Sequence, residues 1–391
     1  MIRSTLISAA AIVDHRSEGA TVSAAQIMGL VASGQATSRA ELSRLLGWAP
    51  STVSAHVQEL IDSGLLEESG EGRSRGGRRP RLLSVRSGDA VILGADLGGH
   101  HARIAAMDGS GRPQTIKDIT LDIAAGPEPV LEQIGDALDE LRAGRPVLGT
   151  GIGLPGPVGL DGVVVGPSRM PGWSGFSVRQ WLAERFDSPL VVENDANLMA
   201  MGEAVARGPE LRDFVFVKAG TGVGAAVVGD GRLHRGARGI AGDISHIRVP
   251  AGGDQPCSCG NFGCLETIAS GAALVAAVRR DGGTVENTAD LVRLARDGNP
   301  IVTTNLRFAG RQLGEVLATV VNFFNPQAVI LGGALAGCDL FIAAARGVLY
   351  ERCLPLTTQD LDIGESAAGP DAGLLGIGRL AIDQGLALAA S

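Results

Sequence analysis

The stretch that decides how the rest of the chain is read is Gly242-Asp243-Ile244-Ser245-His246, followed by Cys257-Ser258-Cys259-Gly260-Asn261-Phe262-Gly263-Cys264-Leu265-Glu266. His246, Cys257, Cys259 and Cys264 complete a tetrahedral donor set, the composition of a closed structural zinc site with no open position. Gly260 and Gly263 permit the tight turns that bring three thiolates to one ion. Three of the five cysteines fall within eight residues, poor spacing for a disulfide framework and good spacing for a metal. Cys-x-Cys-x4-Cys is not the commonest zinc spacing. Spacing alone therefore leaves a second reading open, a set of reduced buried cysteines.

Outward from this core lie three glycine-rich strand ends. Ala90–Gly99 is an apolar strand ending in Asp96-Leu97-Gly98-Gly99. Such glycines let a backbone approach a phosphate, and the carboxylate can hold a hydrated magnesium ion. Val215–Val228 reads as strand, turn and strand around Gly220-Thr221-Gly222, a hairpin rather than a strand–helix phosphate loop. Ala328–Leu335 ends on Gly332-Gly333. Three such ends in one chain predict a duplicated α/β fold with a cleft between lobes. In Val191–Glu203 a strand delivers Asn194 and Asp195 to the start of a helix. Asp195 can accept a proton from a hydroxyl and Asn194 can hydrogen-bond a polyol; Asp195 as a simple helix cap stays open at this point.

The first ninety residues have another character. Ser38 with Glu41 three residues on is a capping-box pattern, and Leu42, Leu45 and Leu46 supply a buried face before Gly47. Before it, Val22–Ala32 has apolar residues at helical spacing. After it, Val53, Val57, Leu60 and Ile61 form one buried stripe on a third helix. Ser51, Thr52, Ser54, His56 and Gln58 lie off that stripe and are of the size and polarity that read base edges in a major groove. Two short apolar runs then flank Gly70–Arg81, which carries Arg73, Arg75, Arg78 and Arg79. After a helix-turn-helix, this reads as a β-hairpin wing whose arginines contact phosphates or a narrow minor groove; a solvated basic linker is the alternative.

The chain has 391 residues, enough for two or three domains, and a net charge of −8. Residues 1–90 hold ten arginines, no lysine and nine acidic residues, a net of +1, so the acidity belongs to the remainder. The local basic patch matters to DNA more than the global sum. Aromatics at 3% exclude a nucleic-acid surface built on stacked rings. No apolar run reaches the roughly 18 residues of a membrane span.

On these residues the chain, from about residue 22 onward, resembles the ROK family of repressors, open reading frames and kinases. The cluster of His246, Cys257, Cys259 and Cys264 with Glu266 is similar to the family signature, and Asp96-Leu97-Gly98-Gly99 and Ala219–Gly224 to its phosphate motifs. Glu193–Asn197 resembles the segment holding the sugar-contacting Asn and the catalytic base. Gly76–Pro80 is similar to the end of the DNA-binding part in ROK repressors. The resemblance implies a winged helix-turn-helix at 20–88. Behind it come a two-lobed actin/hexokinase-like α/β domain with a structural zinc site, a first lobe of 90–193 plus 370–391, and a second of 194–369. It implies that Asn194, Asp195, Asp243, His246 and Glu266 touch sugar, with one ring nitrogen of His246 on zinc and one on sugar. It also implies that the C-terminal stretch packs back on the first lobe.

The implied function is a cytoplasmic, homodimeric or homotetrameric, sugar-responsive repressor. Its partners are operator DNA and a sugar or sugar phosphate effector. The alternative is an ATP-dependent sugar kinase, possibly bifunctional, using ATP and Mg2+ with Asp195 as base. Two departures bear on that choice. His100 and His101 stand where ROK kinases carry Thr and often Lys, and Asp243 stands where the family has Glu.

Overall fold

The computed structural model describes residues 27–28, 30–31, 34, 36–62, 66–71, 81–85, 88–166 and 170–390. Ile27, Met28, Leu30 and Val31 are helical. They precede α1 (Arg39–Leu46) and α2 (Pro50–Asp62), joined by a three-residue turn that Gly47 enters at φ 69°. Ser38 caps α1 by accepting from the Glu41 N–H at 3.4 Å, and Glu41 reaches back to the N–H and hydroxyl of Thr37 at 2.7 and 2.9 Å. The capping pattern is thus realised, with Thr37 rather than Ser38 as the return donor. Strands β1 (Leu66–Glu71) and β2 (Arg81–Val85) pair antiparallel, and the Leu83 N–H donates to the Thr37 carbonyl at 2.8 Å, pinning the hairpin to the start of α1.

Ile27, Met28, Val31, Leu42, Val53, Val57, Leu60, Leu66 and Leu83 form a core of their own. Two expectations need correction. Leu45 is 39% exposed, because an eight-residue helix turns only Leu42 fully inward with Leu46 at the edge, and Ile61 is only half-buried. The tip that joins β1 to β2, with Arg73, Arg75, Arg78 and Arg79, lies outside the described residues, as does Val22.

The chain divides into two compact units. One takes the described residues up to Leu154, with Ser177–Glu193 and the chain from Leu374 onward; the other takes Pro155–Phe176 and Asn194–Gly373. In the first, β3 (Val91–Leu97), β4 (His101–Met107) and β5 (Pro113–Thr120) run as an antiparallel meander. After α3 (Pro127–Arg142), β6 (Val147–Leu154) adds parallel to β3; then come α4 (Val178–Arg185) and β7 (Leu190–Asn194), giving the order β5-β4-β3-β6-β7. β3 and β6 are buried almost throughout, as strands covered on both faces must be. The C-terminal helix packs into this sheet where side chains are missing: a Cβ on Gly94 would lie 3.0 Å, and one on Gly151 2.5 Å, from Ile377 Cγ2.

The second unit repeats the plan. α5 (Asp195–Arg207) leads to β8 (Phe214–Ala219), β9 (Val223–Gly229) and β10 (Arg232–Leu233), again an antiparallel meander. α6 (Glu266–Ala269), α7 (Gly271–Arg280), α8 (Thr288–Arg296) and α9 (Pro300–Phe324) follow, then β11 (Ala328–Gly332), α10 (Asp339–Arg352), α11 (Pro355–Thr358), β12 (Asp362–Glu365) and α12 (Ala372–Ala390), of which the part from Leu374 belongs to the first unit. β11 lies parallel to β8 and β12 parallel to β11, so β10-β9-β8-β11-β12 mirrors the first sheet strand for strand. The duplication expected from the glycine-rich strand ends is present. Glu203 is fully buried in this unit. It accepts from Arg207 Nε at 2.7 Å, the Ser366 hydroxyl at 2.6 Å and the Ala367 and Ala368 N–H groups at 3.0 Å each. That network pays for a buried carboxylate and clamps the chain after β12. No helix among the described residues is long and apolar enough to cross a membrane.

Candidate functional site

The sulfur cluster forms first, from a loop dense in glycine. Cys257 N–H donates to Asn261 O at 2.8 Å and Gly260 N–H to Cys257 O at 3.0 Å, closing a turn through Gly260 at φ 89°. Gly263, at φ 68°, passes so close to Gly253 that a Cβ would lie 2.5 Å from its carbonyl oxygen. These contacts gather the donor atoms of His246, Cys257, Cys259 and Cys264 within 4.8 Å of one another. His246 Nδ1 faces Cys257 Sγ at 3.4 Å, and the Cys259 and Cys264 sulfurs are 3.7 Å apart. Burial, reinforced by the neighbouring sulfurs of Cys259 and Cys257, pushes the Cys264 thiol up to about 12. Burial acts the same way on Cys259 but is outweighed by hydrogen bonds, chiefly from the Asn261 backbone and Cys257, and its thiol falls below the ordinary value. Three sulfurs this close ionise together only around a cation. The set can therefore hold one metal ion.

The chain leaving Cys264 pairs with the segment around His246. Leu265 N–H donates to Ile247 O and Glu266 N–H to Ser245 O, both at 2.9 Å. This seats Glu266, 4% exposed, beside the β8–β9 turn, where its Oε2 accepts the Val223 N–H at 2.8 Å. Gly222 packs closely there: a Cβ would lie 3.1 Å from Glu266 Oε1. Asp195 reaches the other end of the same turn. Its carboxylate is 7% exposed and is ion-paired with Lys218, the penultimate residue of β8. Asn194 is the true cap of α5, accepting from the Ala196 and Asn197 N–H groups at 3.0 and 3.3 Å while its amide donates to Gly156 O at 3.0 Å. Asp195 is thus the first residue of the helix rather than its cap; its Oδ1 also accepts the Ala196 N–H at 2.7 Å, and its Oδ2 faces Lys218. Asp243 is exposed and turned onto Ser245, accepting from its N–H at 3.0 Å and its hydroxyl at 2.6 Å.

The phosphate candidates have structural partners. Gly220 and Thr221 carbonyls accept the Gly271 and Ala272 N–H groups at 2.8 and 3.0 Å, so this turn meets the start of α7. A Cβ on Gly332 would lie 2.5 Å from Phe216 Cζ, and one on Gly333, at φ 83°, 2.7 Å from the Ala219 carbonyl; close packing accounts for glycine at both. In the other unit, Asp96 is half-buried near the end of β3, and His101 lies over Gly98, where a Cβ would be 2.7 Å from its Cε1. A Cβ on Gly99 would meet nothing within 4 Å, and its carbonyl accepts the Ile123 N–H at 3.1 Å.

On α2, Ser51, Thr52 and Gln58 are exposed, while Ser54 and His56 are half-buried. His56 lies 5.9 Å from the Trp48 ring and 3.4 Å from the Glu59 carboxylate. Gln58 is held by Asp62 at 2.8 Å. Sequence reasoning missed Arg39, which ties Ser54 O on α2 to Glu68 on β1, each at 3.0 Å. It also missed Lys218; the only signal was its rarity, one of two lysines in the chain beside Lys117.

The model of the ROK family matches residues 92–384, and a helix-turn-helix domain model matches residues 18–69. A putative xylose repressor from Caldicellulosiruptor sp. (strain Rt8B.4) is 30% identical over 363 residues, 87% of this chain and 86% of its own length. A ROK family transcriptional regulator described as a homologue of the E. coli MLC protein superposes with a TM-score of 0.73 at 25% identity, covering 96% of this chain and 99% of that one. A ROK family glucokinase from Streptomyces griseus, solved with glucose and AMPPNP, superposes with a TM-score of 0.66 at 27% identity, covering 74% of this chain and 98% of that one.

Proposed function

We propose, from the premise that this chain belongs to the ROK family, that it is a sugar-responsive DNA-binding transcriptional regulator acting as a repressor. The observation that carries this reading is the union in one chain of a helix-turn-helix with a ROK domain in which two carboxylates flank one turn and a Cys/His cluster organises the loop that delivers one of them. The reader is residues 20–88; lobes 90–193 with 370–391 and 194–369 form the sensor. Ser51 and Thr52, with the least encumbered side chains of α2, read base edges, and Ser54, His56 and Gln58 support them. Arg73, Arg75, Arg78 and Arg79 neutralise phosphates. The protein acts in the cytoplasm, on operator DNA, as a homodimer or homotetramer.

In the sensor, Asp195 and Glu266 accept from sugar hydroxyls, helped by Asn194, Asp243 and the Nε2 side of His246. Zinc is the ion that three cysteines and one histidine select, held by His246 Nδ1, Cys257, Cys259 and Cys264. It supplies no chemistry beyond fixing the loop that delivers Glu266. The kinase alternative, with Asp96, Gly98, Gly99, Gly220, Thr221, Gly222, Gly332 and Gly333 around ATP and Mg2+, is supported by the retained Asp195 and by the glucokinase likeness. The Lys218 pairing of Asp195 and the His101 ring over Gly98 weigh against it. The test is operator selection with the full chain, followed by DNA affinity with and without sugars. An operator bound but indifferent to every sugar would reject the sensor, and no selected operator would reject the reader.

A further inference from the structure

The β8–β9 turn is bracketed by two carboxylates, one engaged by the Val223 N–H and one by a lysine. That lysine is out of character. Of 34 basic residues only two are lysine, and Lys117 is the other, on a surface strand against Glu140. Lys218 is 23% exposed and pairs with an Asp195 that is 7% exposed. A pair so far out of water is a weak source of stability, since desolvation offsets the attraction. Its stem runs along the phosphate-type turn: a Cβ on Gly220 would lie 3.7 Å from Lys218 Cε. The end of the stem thus lies in van der Waals reach of the first glycine of the turn while its ammonium meets the Asp195 carboxylate.

A hydroxyl donates one hydrogen and accepts through its lone pairs; a carboxylate only accepts and an ammonium only donates. We propose that Lys218 is a specificity-determining residue: with Asp195 it grips one ligand hydroxyl from both sides, its ammonium donating to the oxygen while the carboxylate accepts the hydrogen. This rests on the sugar reading above and sharpens it. With a donor on its oxygen and an acceptor on its hydrogen, a hydroxyl at this position is distinguished from a bare hydrogen there.

The experiment is calorimetric titration of the full chain with D-xylose, D-glucose and N-acetyl-D-glucosamine, each beside its monodeoxy analogues. The wild type binds one parent sugar and loses about 10- to 100-fold on removal of one particular hydroxyl, the scale of hydrogen bonds to charged groups. Lys218→Met shrinks that loss about tenfold, at that hydroxyl and no other. Asp195→Asn with Lys218→Met removes both charges together, leaves no carboxylate uncompensated, and brings the loss to within about twofold. An unchanged loss in both variants overturns the proposal. So does a Lys218→Met protein weakened equally toward the parent and every analogue. A wild type that binds none of the three sugars overturns the sugar reading and this one with it, an outcome distinct from binding with an unmoved hydroxyl preference.

Discussion

The turns β3–β4 and β8–β9 occupy the same place in two sheets of the same strand order. Each spans three residues after a buried central strand, Gly98–His100 in one and Gly220–Gly222 in the other. The penultimate strand residue is Asp96 in the first and Lys218 in the second. The first turn is covered by a ring from its own hairpin, His101. The second receives side chains from elsewhere: Asp195 from the start of α5, and Glu266 from the loop that the sulfur cluster organises. The backbone frame is duplicated; the chemistry is not. What sets the two turns apart is which neighbouring elements deliver charged groups to them.

The largest effect that would break this contrast is loss of the sulfur loop. Cys264→Ser should abolish bound zinc and destabilise the second unit by more than about 4 kcal/mol, the range of losing a metal site. Metal analysis with thermal melting checks it, and a variant that melts like the wild type would detach the loop from the site. Next, Glu266→Ala should weaken effector binding about 10- to 100-fold while leaving operator binding intact, since the lost contact is a hydrogen bond to a charged group. Unaltered titrations would move the ligand away from this turn.

A smaller effect concerns the reader. The hydrogen bond from Arg81 holds the Glu68 carboxyl below its ordinary value of 4.5, against partial burial and with help from Arg39. Because the folded value is the lower one, the stabilisation is complete above pH 4.5 and fades as pH falls through the folded value. Glu68→Gln should remove that acid sensitivity at a cost within about 1 kcal/mol; a pH–stability profile identical to the wild type would refute a stabilising role for the Glu68 pairing with Arg81 and Arg39. The smallest change is expected at the first turn. His101 is exposed, so His101→Ala should alter stability by less than about 0.5 kcal/mol in urea titration. A larger loss would mean that the ring braces the turn as the acids brace the other.

What was legible in the sequence is what short-range patterns encode. Ser38 with Glu41, the α2 stripe of Val53, Val57 and Leu60, the β8–β9 hairpin and the gathering of four donors around His246 and Cys257–Cys264 all lie within a few turns of chain. Glu266, two residues beyond Cys264, was singled out through the family resemblance that the cysteine cluster carries. Long-range pairings were not. Lys218 meets Asp195 across 23 residues, and Glu203 meets Ser366 across 163. Periodicity carries no trace of such partners. Leu45 failed for another reason: an apolar residue at a helix edge has the same spacing whether or not the core reaches it.

The central claim is that ligand at the β8–β9 turn governs DNA binding by the helix-turn-helix. Its most direct test is the affinity of the full chain for its selected operator, at fixed salt, with and without the sugar that binds best, in the wild type and in Glu266→Ala. At a sugar concentration that just saturates the wild type, the account predicts a shift of about 5- to 150-fold in wild-type affinity and a far smaller one in Glu266→Ala. An operator affinity that ignores the sugar, or a shift that survives Glu266→Ala undiminished, would contradict it.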